Sequence, residues 1–134
     1  MGTKQVSARW TGEGLHYIGI DSKGNEIGMG GNDPSPSEML LMGAAGCMGM
    51  DIVSVLQKKR QDVESIDVEV TGHQPDDYPK PFQIVELAFI VKGNNVDAKA
   101  VERAIALSRD KYCVVGQTLQ NMVELKTSFT VEDK

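Results

Sequence analysis

SPSEMLLMGAAGCMGMDIVSVLQKKR, residues 35–60, is the stretch of sequence that decides the fold. Ser35 is a favourable N-cap residue, Pro36 suits the first position of a helix, and Glu38, three residues after the serine, completes a capping box. The cations of QKKR at the other end suit the negative end of a helix dipole. The segment therefore predicts a single helix over about residues 36–58, roughly 34 Å long at 1.5 Å per residue.

This predicted helix is apolar on nearly every face, with Asp51 as the one charge between Met39 and Leu56. A helix of this kind is normally covered on nearly every face. A chain of 134 residues has few elements with which to cover it, so we expect a second subunit to contribute. Glycines inside a helix each cost about 1 kcal/mol relative to alanine. We therefore expect a close approach to the helix backbone at its three glycines, which are Gly43, Gly46 and Gly49.

The rest of the chain predicts two groups of strands and one further long helix. Alternating polar and apolar residues predict strands in the segments KQVSARW, LHYIGID, EIGM, SIDVEVTGH, FQIVELAFIVKG and ELKTSFTVE. NNVDAKAVERAIALSRDKY, residues 94–112, has the pattern of an amphipathic helix capped by Asn95 or Asp97. CVVGQTLQNM, which follows it, is expected to be irregular or a short helix. This order of elements indicates an α+β fold.

Length and charge exclude several classes of function. A chain of 134 residues fits one domain, so residues 1–134 are expected to fold together. The net charge of -5 argues against nucleic acid and against an anionic membrane surface, because both partners require concentrated lysine and arginine. The N-terminal MGTKQVSARW lacks the apolar core of a secretory signal, and no uninterrupted apolar run approaches the ~20 residues of a membrane span. We expect a soluble, cytoplasmic protein with no membrane partner.

The two cysteines are the candidate reactive groups. Cys47 is either a small packing residue of the helix or a reactive thiol, and the residues around it leave both interpretations open. Asp51, one turn later, would disfavour a thiolate, so a reactive Cys47 would need a cation from elsewhere. Cys113 follows Arg109 and Lys111 and is too distant for a CxxC motif. If the fold joins the two thiols, one can attack a peroxide and become a sulfenic acid that the other captures as a disulfide, without any cofactor.

Other chemistry has little support in the sequence. His16 and His73 could nominally join the cysteines in a metal site, but their spacing matches no zinc module, so we expect no metal and interpret them as surface or strand-edge residues. Gly28-Met-Gly-Gly lacks the lysine of a phosphate-binding loop, and no nucleophile elbow is present.

Two blocks of sequence carry a resemblance to a known family. NDPSPSEMLLMGAAGCMGMDIVSVLQKKR, residues 32–60, and AIALSRDKYCVVGQTL, residues 104–119, together resemble the OsmC/Ohr family of osmotically induced and organic hydroperoxide resistance proteins. The resemblance implies an OsmC-like fold in which antiparallel sheets pack around a long buried helix that carries a cysteine. It also implies an intertwined homodimer with its active sites at the subunit interface.

The same resemblance implies a thiol peroxidase active in oxidative stress defence. Cys47 would attack organic hydroperoxides, Cys113 would be the resolving residue, and a dithiol reductant would reset the disulfide. The family also implies an activating arginine from the N-terminal region and an activating glutamate at the start of the long helix. Arg9 and Glu38 are the residues here that correspond. Glu38 departs from the pattern, because the family's acidic residue lies ten positions before the cysteine and Glu38 lies nine before, a rotation of about 100° on a helix.

Two alternatives to a peroxidase remain open. The methionine and leucine residues near Cys47 would favour an organic hydroperoxide over hydrogen peroxide, but they would equally suit the pocket of a protein that binds an apolar small molecule. A redox sensor, whose disulfide alters a contact with a partner, would form the same bond with little turnover.

Overall fold

The computed structural model describes residues 2–134. The chain divides between Leu40 and Leu41 into two compact units. The division falls inside the long helix, so that helix has its first residues in one unit and most of its length in the other.

The first unit contains a three-stranded antiparallel meander, as the alternating pattern predicts. Its strands are β1 (Ser7–Trp10), β2 (Tyr17–Ile20) and β3 (Glu26–Met29), paired in the order β1-β2-β3. The turn from β2 to β3 is organised by Asp21, whose carboxylate accepts hydrogen bonds from the backbone N–H groups of Lys23 and Asn25. These bonds and the one from the Asn25 side chain hold the pKa of Asp21 below its ordinary value.

Helix α1 (Pro36–Lys58) has the predicted bounds. The Ser35 hydroxyl accepts the Glu38 backbone N–H at 3.2 Å and donates to the Glu38 carboxylate at 2.9 Å. The cap is therefore local, and it fixes where the helix begins. One face of the helix is completely buried, and its residues recur every four positions: Ala44, Met48, Ile52 and Leu56. This spacing is that of a single helical face.

The second unit contains a sheet in the order β4-β5-β6, formed by β4 (Asp62–His73), β5 (Ile84–Asn94) and β6 (Glu124–Asp133). β4 and β5 are antiparallel, as expected, but β6 runs parallel to β5, so the expectation of antiparallel sheets is wrong for this pair. The physical reason is the connection. Parallel neighbours cannot be joined by a hairpin, and three helical segments make the crossover between β5 and β6.

The crossover begins with α2 (Ala98–Leu107), continues as a π-helical turn (Ser108–Tyr112), and ends with α3 (Val114–Gln120). Of the two predicted caps for α2, the structure uses Asp97, whose side chain accepts the Lys99 backbone N–H at 3.0 Å. The core of the unit joins the buried face of α1 to buried residues of β5 and α2, which include Val85, Leu87, Phe89, Val91, Val101, Ala104 and Ile105.

The opposite face of α1 is exposed in the single chain, although the sequence predicts cover on nearly every face. Met42 and Met50 on this face are 51% and 74% exposed. Apart from the chain neighbours and the adjoining helix backbone, no atom of residues 2–134 would lie within 4 Å of a Cβ added at Gly43 or Gly46. Cover by a second subunit therefore stays a prediction. Among the described residues, α1 is also the one helix with the length and composition of a membrane span, properties that it shares with core helices of soluble proteins.

Candidate thiol site

The two cysteines meet in the second unit. Cys47 lies on α1 and Cys113 follows the π-helical turn, yet their sulfur atoms are 2.7 Å apart. Both are free thiols, and a covalent disulfide would shorten the distance to about 2.05 Å. The fold thus brings together two thiols separated by 66 residues in sequence, which is the juxtaposition that thiol redox chemistry needs.

Cys113 is positioned by backbone hydrogen bonds on both sides. Its N–H donates to the Ser108 carbonyl at 2.8 Å, which closes the π-helical turn. The residue itself is extended, with φ -80° and ψ 110°, and serves as the N-cap of α3, where its sulfur accepts the Gly116 N–H at 3.1 Å. Isolated π-helical turns of this kind are common at functional sites.

Gly116 packs closely behind this sulfur. A Cβ added at Gly116 would lie 3.4 Å from the Cys113 sulfur and 3.7 Å from the sulfur of Met48, which belongs to the buried face of α1. These distances are those of ordinary van der Waals contact.

The two thiols differ in exposure. Cys113 is completely buried, whereas Cys47 is partly exposed. Burial, followed by its hydrogen bond to Cys47, raises the pKa of Cys113 to about 11, and the Gly116 N–H offsets part of that rise. Cys113 is therefore a neutral thiol at pH 7 and donates its proton toward Cys47. The arrangement leaves Cys47 as the hydrogen-bond acceptor that a reagent can reach.

A second contact joins the same two segments. Asp51 lies one helical turn after Cys47 and accepts a hydrogen bond from the Ser108 hydroxyl at 2.9 Å. Ser108 is completely buried and begins the π-helical turn that leads to Cys113. Nothing in the sequence singles out Ser108, because its importance depends on a contact with a residue 57 positions away.

The other predicted catalytic residues, Arg9 and Glu38, lie in the first unit. Arg9 is on β1 and forms an exposed ion pair with Glu26 at 3.8 Å. Glu38 is exposed and its carboxylate accepts the Ser35 hydroxyl, so the side chain is used by the helix cap. A catalytic role for either residue stays a prediction.

Arg109, the cation that precedes Cys113 in the sequence, is engaged by its neighbours. Its guanidinium donates to the Asp110 carboxylate at 2.8 and 3.1 Å and to the Thr127 hydroxyl at 3.3 Å. The carboxylate raises the pKa of Arg109, and the guanidinium lowers the pKa of Asp110. The pairing with Asp110 is bidentate, and the contact with Thr127 joins the side chain to β6.

The two histidines have separate carboxylate partners. His16 contacts Asp33 at 2.7 Å, and His73 contacts Glu86 at 2.9 Å on the exposed side of the second sheet. The hydrogen bond with His73 lowers the pKa of Glu86. Within residues 2–134, no three His, Cys, Asp or Glu side chains are grouped closely enough to hold a metal ion.

Comparisons with known proteins identify the family and the fold. A family model described as OsmC-like protein matches residues 28–128. The chain is 41% identical over 131 residues to protein YhfA of Escherichia coli K12, which covers 95% of this chain and 97% of that protein. A crystal structure of a hypothetical protein from Aquifex aeolicus superposes with a TM-score of 0.91 at 31% identity, over 100% of this chain and 99% of that chain. The organic hydroperoxide resistance protein OhrB of Bacillus subtilis shares the fold, with a TM-score of 0.64 at 14% identity over 96% and 98% of the two chains.

Proposed function

This chain belongs to the OsmC-like protein family, and from that premise we propose that it is a thiol-dependent peroxidase that reduces organic hydroperoxides. The observation that carries the proposal is the 2.7 Å contact between a partly exposed acceptor thiol, Cys47, and a buried donor thiol, Cys113. The family includes peroxidases, and its fold is shared by proteins named for resistance to organic hydroperoxides.

In the first step the Cys47 thiolate attacks the outer oxygen of the hydroperoxide. A sulfur–oxygen bond forms and the oxygen–oxygen bond breaks, and the alkoxide takes a proton and leaves as an alcohol. The peroxide is reduced by two electrons and Cys47 becomes a sulfenic acid. Before the attack, the Cys113 S–H donates a hydrogen bond to the Cys47 sulfur.

In the second step Cys113 resolves the sulfenic acid. Its sulfur bonds to the Cys47 sulfur, the sulfur–oxygen bond breaks, and hydroxide leaves as water with the Cys113 proton. Oxidation of Cys47 removes both the hydrogen bond and the negative charge that contribute to the raised pKa of Cys113. Cys113 therefore becomes easier to deprotonate once it is needed. A dithiol reductant then restores both thiols by exchange and is itself oxidised to a disulfide.

The surroundings of Cys47 support an organic substrate and a second subunit. Gly43 lies one turn before Cys47 and Met50 nearly one turn after it, on the exposed side of α1. Such a surface favours an alkyl tail and also favours packing against another apolar surface. We infer that a second copy of the chain covers this face in an intertwined homodimer. Membership of the family is consistent with a soluble protein, and we place it in the cytoplasm.

The test is the reduction of cumene hydroperoxide in the presence of a dithiol donor, by the wild type and by Cys47→Ser and Cys113→Ser. We expect Cys47→Ser to lose the reaction entirely. Without the dithiol donor, Cys113→Ser should still consume about one equivalent of peroxide, because Cys47 supplies the attacking sulfur, and should then accumulate sulfenic acid. Equal rates for the wild type and Cys47→Ser would refute the proposal.

A redox sensor is the second candidate, and the cap at the start of α1 favours it. The Glu38 carboxylate accepts the Ser35 hydroxyl as part of the helix cap, and this contact competes with a role in activating a thiol. A sensor would form the Cys47–Cys113 disulfide with one equivalent of peroxide but would turn over slowly with any dithiol. Burst and steady-state rates measured in one experiment distinguish the two functions.

A further inference from the structure

Helix α1 contacts the segment that carries Cys113 through two side-chain hydrogen bonds. Cys47 accepts a hydrogen bond from Cys113, and Asp51 accepts one from Ser108 at 2.9 Å. The two partners on α1 are four residues apart, which is one α-helical turn, and the two partners on the other segment are five apart, which is one π-helical turn. The α-helical turn from Cys47 to Asp51 and the π-helical turn from Ser108 to Cys113 are therefore joined by one side-chain contact at each end.

Ser108 connects the two contacts. Its hydroxyl donates to the Asp51 carboxylate, while its backbone carbonyl accepts the N–H of Cys113 at 2.8 Å. The residue is completely buried, so its hydroxyl has no ready exchange with solvent. A displacement of Ser108 would move the backbone of Cys113 with it.

The requirement on this position is strict. A disulfide needs the two sulfurs at about 2.05 Å, so the segment that carries Cys113 must stay against α1 for the bond to form.

We propose that Asp51 is a positioning residue that acts through Ser108 to hold Cys113 against Cys47, so that it governs the resolving step and not the first oxidation. The inference rests on the proposed function. In the step concerned, the Cys113 sulfur bonds to the oxidised Cys47 sulfur, and hydroxide leaves as water with the Cys113 proton. Asp51 touches none of these reacting atoms.

The experiment compares Asp51→Ala, Asp51→Asn and Ser108→Ala with wild type, and uses Asp67→Ala on the exposed side of β4 as a matched control for loss of a carboxylate. Asp51→Asn keeps a side-chain oxygen that can accept the Ser108 hydroxyl, so it tests the hydrogen bond apart from the charge. Each protein is treated with one equivalent of cumene hydroperoxide. Dimedone captures the sulfenic acid on Cys47 in competition with Cys113, and mass spectrometry measures the two products.

We expect Asp51→Ala and Ser108→Ala to lengthen the lifetime of the sulfenic acid at least tenfold, with the rate of its formation within threefold of wild type. Asp51→Asn should restore the lifetime to within threefold, and Asp67→Ala should match wild type. Unchanged lifetimes in both Asp51→Ala and Ser108→Ala would overturn the inference. So would an Asp51→Asn variant as slow as Asp51→Ala, because the charge would then matter and the hydrogen bond would not.

A second measurement separates this inference from the proposed function. Oxidised glutathione forms the Cys47–Cys113 disulfide by exchange and needs no peroxide, and the equilibrium constant reports how well the two thiols are held together. We expect the constant to fall at least tenfold in Asp51→Ala and Ser108→Ala. An unchanged constant would contradict positioning, whether or not the protein reacts with peroxide. Suppose that peroxide does not oxidise Cys47 in wild type, while the equilibrium constant with glutathione is lowered in the variants. That result would refute the peroxidase function and leave the positioning role of Asp51 intact.

Discussion

Alkylation of the two thiols with iodoacetamide at pH 8 should reveal a large difference between them. The pKa of Cys113 is raised from 9.0 to about 11. At pH 8 a thiol with a pKa of 9.0 is about one-eleventh ionised, and a thiol with a pKa of about 11 is roughly one-thousandth ionised. The thiolate population of Cys113 therefore falls about 100-fold on folding. A more basic thiolate is more nucleophilic, by roughly tenfold over two pKa units. A net protection of at least about tenfold remains, before the complete burial of Cys113 is considered.

The assay compares each cysteine in the folded protein with the same cysteine in urea. Short exposures followed by peptide mass spectrometry give the initial rate at each site, before modification of one thiol affects the other. We expect Cys47 to react first and Cys113 to be at least tenfold slower than in the unfolded chain. A Cys113 rate within threefold of its unfolded value would refute the assignment of Cys113 as the protonated donor.

The Cys47→Ser variant provides an internal control for this assignment. It removes the Cys47 thiolate, and with it the charge and the thiol contact that both raise the pKa of Cys113. Burial remains. The pH at which Cys113 becomes half-alkylatable should therefore move down from about 11 but stay above its unfolded value. An unchanged profile would mean that burial alone accounts for the shift.

Three further predictions follow from the packing. Because the pKa of Cys113 is higher in the folded state, its stabilising contribution is complete below about pH 9 and is lost as the pH rises to about 11. Over this range the free energy of unfolding, measured in urea, should fall further in wild type than in Cys113→Ser, by up to about 3 kcal/mol. The same dependence on pH in both proteins would contradict this. A Cβ at Gly93 would collide with the Asp62 carbonyl, so Gly93→Ala should lower the free energy of unfolding by about 2 kcal/mol or more in urea denaturation, and a neutral effect would show that the β4 backbone yields. Met50→Lys should convert the proposed homodimer to monomer in analytical ultracentrifugation, because it places a charge on the 74%-exposed apolar face of α1, and a wild type that is already monomeric would rule the dimer out.

Some features of the fold were predictable because they depend on neighbouring residues. The start of α1 follows from Ser35, Pro36 and Glu38, which form the cap among themselves. The cap of α2 at Asp97 and the pattern of each strand are equally local. The parallel pairing of β6 with β5 was not predictable in this way, because strand direction is set by the path of the crossover between them and alternation is the same in both orientations.

The sequence by itself determined the elements, the α+β class and the two cysteines as the groups with chemistry to offer. Only the tertiary structure decided that these cysteines meet, that Cys113 is the buried donor and that Ser108 stands between Asp51 and the thiols. Local patterns report backbone preferences over a few residues. The distance between two sulfurs 66 residues apart, and the desolvation that raises the pKa of Cys113, exist only once the chain has packed.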